Sequence, residues 1–142
     1  MSAVGEGNAA MGAEPWSYFV PYEANVEDAL HALRARVFEA GEYRGSELKP
    51  QTPEEAIVNA EDVGTASILD IMQISATPDF CSVCPLPEAK LERFFGSAQP
   101  THAMVAGKLG FYEEIDRGQG IYVVVYKDER PDEYFFAGYS FD

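Results

Sequence analysis

The runs Ile121-Tyr122-Val123-Val124-Val125-Tyr126 and Tyr134-Phe135-Phe136-Ala137-Gly138-Tyr139-Ser140-Phe141 decide the fold. Both are built of β-branched and aromatic residues, which fit a pleated, half-buried surface. The segment between them contains Asp128 and Pro131, so the pair reads as a β-hairpin turning there. Ile121, Val123 and Val125 alternate with Tyr122, Val124 and Tyr126, which sends apolar side chains to both faces of the strand. Helices must then cover at least one side of the sheet.

Upstream of the hairpin the chain supplies those helices. Asn25 is an N-cap for a stripe of Val26, Leu30, Leu33 and Val37, and Gly41 closes it. Thr52-Pro53-Glu54-Glu55 joins a cap, a proline at the first helical position and a glutamate three residues after the cap, predicting a short second helix that stops before Gly64. Pro87 opens a third through Leu91, Phe94 and Phe95 to Gly96. A fourth is expected from Thr101 through Met104, Val105, Leu109, Tyr112 and Ile115, weakened by Gly107 and Gly110 at about 1 kcal/mol each relative to alanine.

Three further strands are expected. Trp16 to Val20, closed by Pro21, suits an edge strand. The apolar run Ser67 to Ile74 reads as a central strand buried on both faces, with Asp70 its exception, and Phe80 to Cys84 reads as a short strand. The fold class that results is α+β: a single domain with a mainly antiparallel sheet, a C-terminal β-hairpin and about four covering helices. Residues 1–14, small and polar with three glycines, read as a flexible N-terminal tail before a globular domain at 15–142.

Charge is the strongest global signal, with 24 Asp and Glu against 10 Lys and Arg, a formal net charge of -14. Nucleic-acid binding draws on clustered Lys and Arg to displace counterions, and no such cluster exists here. A basic protein partner would instead be steered toward the surface. No run approaches the roughly 20 apolar residues of a membrane span. The first residues have neither a basic start nor an apolar run, and two closely spaced cysteines suit a reducing compartment, so a cytoplasmic location is expected.

Residues able to carry chemistry are few. Cys81-Ser82-Val83-Cys84 has the spacing of half a zinc site or of a dithiol pair, yet only His31 and His102 stand elsewhere as soft ligands, and two core thiols are the favoured reading. No phosphate-cradling glycine pattern is present; Arg117-Gly118-Gln119-Gly120 reads as a turn into the hairpin. No catalytic residue, metal ligand or cofactor is assigned. The remaining constellation is acidic: Glu113, Glu114 and Asp116 at the end of the expected fourth helix, where they oppose its dipole, and Asp128, Glu129, Asp132 and Glu133 around the hairpin turn. With Tyr134 beside them, these are the candidate partner-binding residues, aromatic area supplying affinity and rim charge supplying steering.

A small acidic α+β domain with an aromatic terminal strand pair and no catalytic motif resembles, in type, the bacterial immunity and inhibitor proteins. The resemblance rests on no motif and assigns no residue. It implies a protein-binding module for a basic partner. The alternatives are a small enzyme or ligand-binding domain assembled from scattered residues such as Asp70, Tyr43, Arg44 and His102, and a protein that forms homo-oligomers through an exposed strand edge at the hairpin.

Overall fold

A computed structural model describes residues 13–142, so residues 1–12 of the expected tail lie outside the described residues. Ala13 is already buried, and the Glu14 carbonyl accepts a hydrogen bond from the Ser140 amide at 2.9 Å. One sheet carries five strands, β1 (Pro15–Pro21), β2 (Gln73–Ile74), β3 (Ser82–Pro85), β4 (Gly120–Lys127) and β5 (Arg130–Tyr139), in the order β1-β5-β4-β3-β2. The long pairings, β1 with β5 and β5 with β4, are antiparallel, whereas the short ones, β4 with β3 and β3 with β2, are parallel. The sheet is therefore mixed.

The hairpin turns on two residues, Asp128 and Glu129, both at positive φ (52° and 66°), the twist-matched geometry of a two-residue β-turn. Pro131 is not part of the turn; it stands in β5 opposite Tyr126, and a register shift beside it leaves Asp132 as the extra residue of a bulge. β5 runs between β1 and β4, and β3 covers the outer side of β4 only from Gly120 to Tyr122. The outer strands are β2, two residues long, and β1, bracketed by Pro15 and Pro21.

Helices cover both faces. Between β1 and β2 the chain forms α1 (Val26–Ala40) and α2 (Pro53–Ala60). Asn25 caps α1 by accepting the Glu27 amide at 2.8 Å, and Gly41 ends it in the left-handed conformation. Leu30, Leu33 and Val37 form its fully buried stripe, each burial contributing about 1.5–3 kcal/mol. They pack with Trp16, Val20, Val83, Tyr134 and Phe136 in one core. Between β3 and β4 lie α3 (Glu88–Phe95), the single turn α4 (His102–Val105) and a 3-10 turn at Gly110–Glu114. Phe95, Val105 and Phe111 from this layer meet Ile121, Val123, Val125, Phe135 and Ala137 in a second core. No described helix is long and apolar enough to cross a membrane.

Two sequence expectations are corrected. Ser67–Ile74 is not a central strand: Ser67 Oγ accepts the Leu69 amide and starts a 3-10 turn at Ile68–Asp70, and only Gln73–Ile74 joins the sheet, at its edge. A fully buried carboxylate must find donors. The turn brings Thr65 to Asp70, its amide and hydroxyl both donating to Oδ1 at 2.8 Å. The expected fourth helix stops after one turn because Ala106 turns to extended backbone (φ -60°, ψ 131°), with Gly107 following at φ 81° to complete the turn away. Glu113, Glu114 and Asp116 therefore face no helix dipole of the kind expected.

Candidate functional site

The acidic candidates fall into two groups. Glu113 and Glu114 end the 3-10 turn and Asp116 follows, all before β4, whereas Asp128 and Glu129 form the hairpin turn and Asp132 and Glu133 open β5. The eight residues of β4 separate the groups by roughly 23 Å at about 3.3 Å per residue. They do not form one patch. Glu114 is bonded to the Lys90 ammonium, which holds its carboxyl below the usual range. Glu133 Oε1 lies 2.8 Å from His102 Nδ1. Glu113, Asp116, Asp128, Glu129 and Asp132 are exposed and make no ion pair among the described residues.

Tyr134 is not a surface anchor. It is 3% exposed, its hydroxyl donates to the Glu23 carbonyl at 2.6 Å, and burial pushes its pKa up to about 12. β5 lies inside the sheet under α1, which is why its even-numbered rings are swallowed. One strand over, Tyr122, Val124 and Tyr126 stay half-buried on that same face while Ile121, Val123 and Val125 are fully buried on the other.

Tyr122, Val123, Val124 and Tyr126 line a cleft of about 220 Å³ with Pro85, Leu86, Leu91 and Ala98. It exists because β3 ends at Pro85 opposite Tyr122, and the next backbone to reach β4 is Pro100, whose carbonyl accepts the Tyr126 amide at 2.8 Å. Between these points no described strand stands beside β4 on the side away from β5. Alternation of the pleat turns the Val124 amide and carbonyl to the same side as the Tyr126 amide, toward this gap. Sequence reasoning missed Tyr122 and Tyr126; the signal was the tyrosine-for-aliphatic alternation along β4.

Of the scattered residues of the enzyme reading, Asp70 and Arg44 meet at the Val63–Thr65 segment, while Tyr43 and His102 do not join them. Asp70 is buried, Arg44 Nη1 donates to the Val63 and Gly64 carbonyls at 3.0 and 3.2 Å, and Tyr43 stacks on Phe38. His102 belongs to the opposite face, stacked on Phe19 with ring centroids 3.9 Å apart. Phe19 and Glu133 fix its ring, and no nucleophile bonds to it among the described residues. Cys84 lies in the second core, Cys81 half-buried near Asp70 and Asp79; desolvation pushes both thiols up, away from the reactive thiolate. No three His, Cys, Asp or Glu side chains cluster to hold a metal among the described residues. No protein-family model, curated protein or solved structure matches the chain.

Proposed function

We propose that this chain is a protein-binding module that engages a basic protein partner, as immunity and inhibitor proteins do. The contact is made at the hairpin end, where Asp128, Glu129 and Asp132 stand nearest the half-buried Tyr126, with Glu133 beside His102 on the other face and Tyr122 further along β4. The observation that carries the reading is the surplus of unneutralised carboxylate: of the 24 Asp and Glu in the chain, all but Glu6 are described, and among the described ones only Glu114, Glu133 and Asp142 form ion pairs. Like charge left unpaired on a small domain opposes compaction, and a cationic partner relieves it on binding. Tyrosine faces supply area and cation–π attraction to Lys and Arg. Glu113 and Asp116, at the far end, add long-range steering without contact. The free cysteines agree with a cytoplasmic encounter.

The test is capture on the immobilised protein from the native lysate at low and high salt, run beside the triple variant Asp128→Asn, Glu129→Gln, Asp132→Asn. A stoichiometric basic protein retained at low salt, released at high salt and lost by the variant supports the reading. A partner held equally at both salt levels and by the variant, or none above background, overturns it.

A further inference from the structure

Beside β4 the sheet is missing one strand segment. β3 pairs with β4 as far as Pro85 opposite Tyr122, and the chain then leaves the sheet through α3. It comes back to β4 at Thr101, which bridges Tyr126 in the same parallel sense. Thr101 thus continues the row that β3 began, and the stretch of that row opposite Val123, Val124 and Val125 holds no described strand. The Tyr126 amide points away from β5, to the Pro100 carbonyl. By alternation, Val123 and Val125 turn their backbone groups to β5, and Val124 turns its amide and carbonyl into the gap. No loop backbone bonds to either group among the described residues.

Side chains flank the gap on both faces. Tyr122, Val124 and Tyr126 are half-buried on the α1 face, while Leu86 and Leu91 pack on the other face in the second core with Val123. Strand addition uses this combination, with main-chain bonds giving affinity and alternate side chains giving specificity. We propose that a short extended stretch of the basic partner fills this gap as the missing strand segment, with Lys or Arg opposite Val124 and an apolar residue on each side of it. This rests on the reading of the hairpin end as the site for a basic partner and names the segment recognised there.

The dimensions and the charge select that occupant. From Tyr122 to Tyr126 the row measures about 13 Å, and with its ends taken by Pro85 and Thr101 it admits three extended residues. The middle one shares a face with Val124, so its side chain lies between the rings of Tyr122 and Tyr126, where a cation meets two aromatic faces. Its neighbours point to the opposite face, over Leu86 and Leu91. Asp128, Glu129, Asp132 and Glu133 outnumber Lys127 and Arg130 at the hairpin end, and a net charge of -14 repels a second copy of this chain. Pro85 and Pro100, which bound the gap and lack amide hydrogens, keep it too short for a full strand and so guard β4 against edge-to-edge aggregation.

The test uses the full chain labelled with nitrogen-15 and the capped peptide Gly-Leu-Arg-Leu-Gly, with amide hydrogen exchange read at Val123, Val124 and Val125. In the free chain Val124 should exchange faster than both neighbours. Peptide at about nine-tenths occupancy should slow Val124 about tenfold, because only the free fraction exchanges. The same peptide with Glu in place of Arg should not. N-methylation of the Arg nitrogen removes the bond to the Val124 carbonyl in antiparallel addition, and of the following Leu nitrogen in parallel addition, so one of the two must abolish the slowing. Val124 unchanged in millimolar peptide, or slowed equally by the Glu peptide or by both N-methylated forms, overturns the proposal. So does a Val124 amide already slow in the free chain and released by dilution, which gives the gap to a second copy, or by removal of residues 1–12, which gives it to the start of the chain. Peptide binding that weakens in the variant Asp128→Asn, Glu129→Gln, Asp132→Asn but never slows Val124 sinks strand addition and leaves the acidic contact standing. Slowing of Val124 that is equal in that variant and in wild type supports strand addition and removes the acidic contact.

Discussion

Replacing Gly64 with alanine tests whether the hydrogen bonds that join Asp70 to Thr65 and Ser140 hold the fold. Gly64 sits at φ 80°, ψ 175°, a region essentially reserved for glycine, so a side chain there costs about 1–3 kcal/mol in backbone strain. The added Cβ would collide with Ser140 Oγ and stand 2.9 Å from Asp70 Oδ2 and 3.0 Å from the Phe141 amide. Ser140 must then withdraw, leaving buried partners unsatisfied at a further ~1–3 kcal/mol. The sum is about 4 kcal/mol. Gly45→Ala is the control: it also has positive φ, 93°, yet no atom lies within 4 Å of its Cβ, so it costs only about 1–2 kcal/mol. Urea unfolding followed by fluorescence of Trp16, the single and buried tryptophan, reads the difference. At a slope of about 2 kcal/mol/M, Gly64→Ala should move the midpoint down by about 2 M and Gly45→Ala by less than about 1 M. Equal shifts in the two variants would refute these hydrogen bonds as a source of stability.

Other consequences are open to simpler measurements. Phe136→Ala empties a fully buried site where two strands meet α1 and should cost about 3–5 kcal/mol in thermal unfolding, against less than about 1 kcal/mol for Phe80→Ala at a ring 56% exposed. Tyr112, pushed up to about 12 by burial, should stay un-ionised in the native protein at pH 11 and titrate near 10 in urea; because its folded value is raised, stability is lost as pH climbs from 10 through about 12, visible in absorbance titration. Cys81 and Cys84 should alkylate more slowly at pH 7 in the native state than in urea, Cys84 slowest, as judged by mass spectrometry. Lys90→Ala removes an exposed ion pair and should change stability by less than about 1 kcal/mol.

What the sequence made legible was whatever its punctuation enforces locally. Asn25 and Gly41 bound α1, Thr52 and Pro53 open α2, and Pro87 and Gly96 bracket α3, each through a cap geometry that short-range chemistry dictates. The hairpin followed from β-branched and aromatic runs around Asp128 in the same way. Ser67–Ile74 was illegible because an apolar run without period fits any buried segment, and only the acid within it told against a strand. The helix expected beyond Thr101 breaks at Ala106, and neither its extended backbone nor the positive φ of Gly107 is visible in a helical apolar spacing. For the candidate site, the carboxylates were legible as charge but their separation by β4 required the topology. Tyr134, a candidate for the surface by its acidic neighbours, lies in the core because β5 is interior, a consequence of β1 pairing along its far side. Tyr122 and Tyr126 stay half-buried because β3 ends early, at Pro85, which no local pattern announces.

The proposed function is tested most directly by association kinetics of the captured partner with wild type, the hairpin-end triple variant and Glu113→Gln, Glu114→Gln, Asp116→Asn, as a function of ionic strength. The account predicts that at low salt the hairpin-end variant associates at least about tenfold more slowly and dissociates faster, that the other variant loses association rate alone, and that salt erases the differences in association rate. Identical association rates for all three proteins at low salt would contradict it.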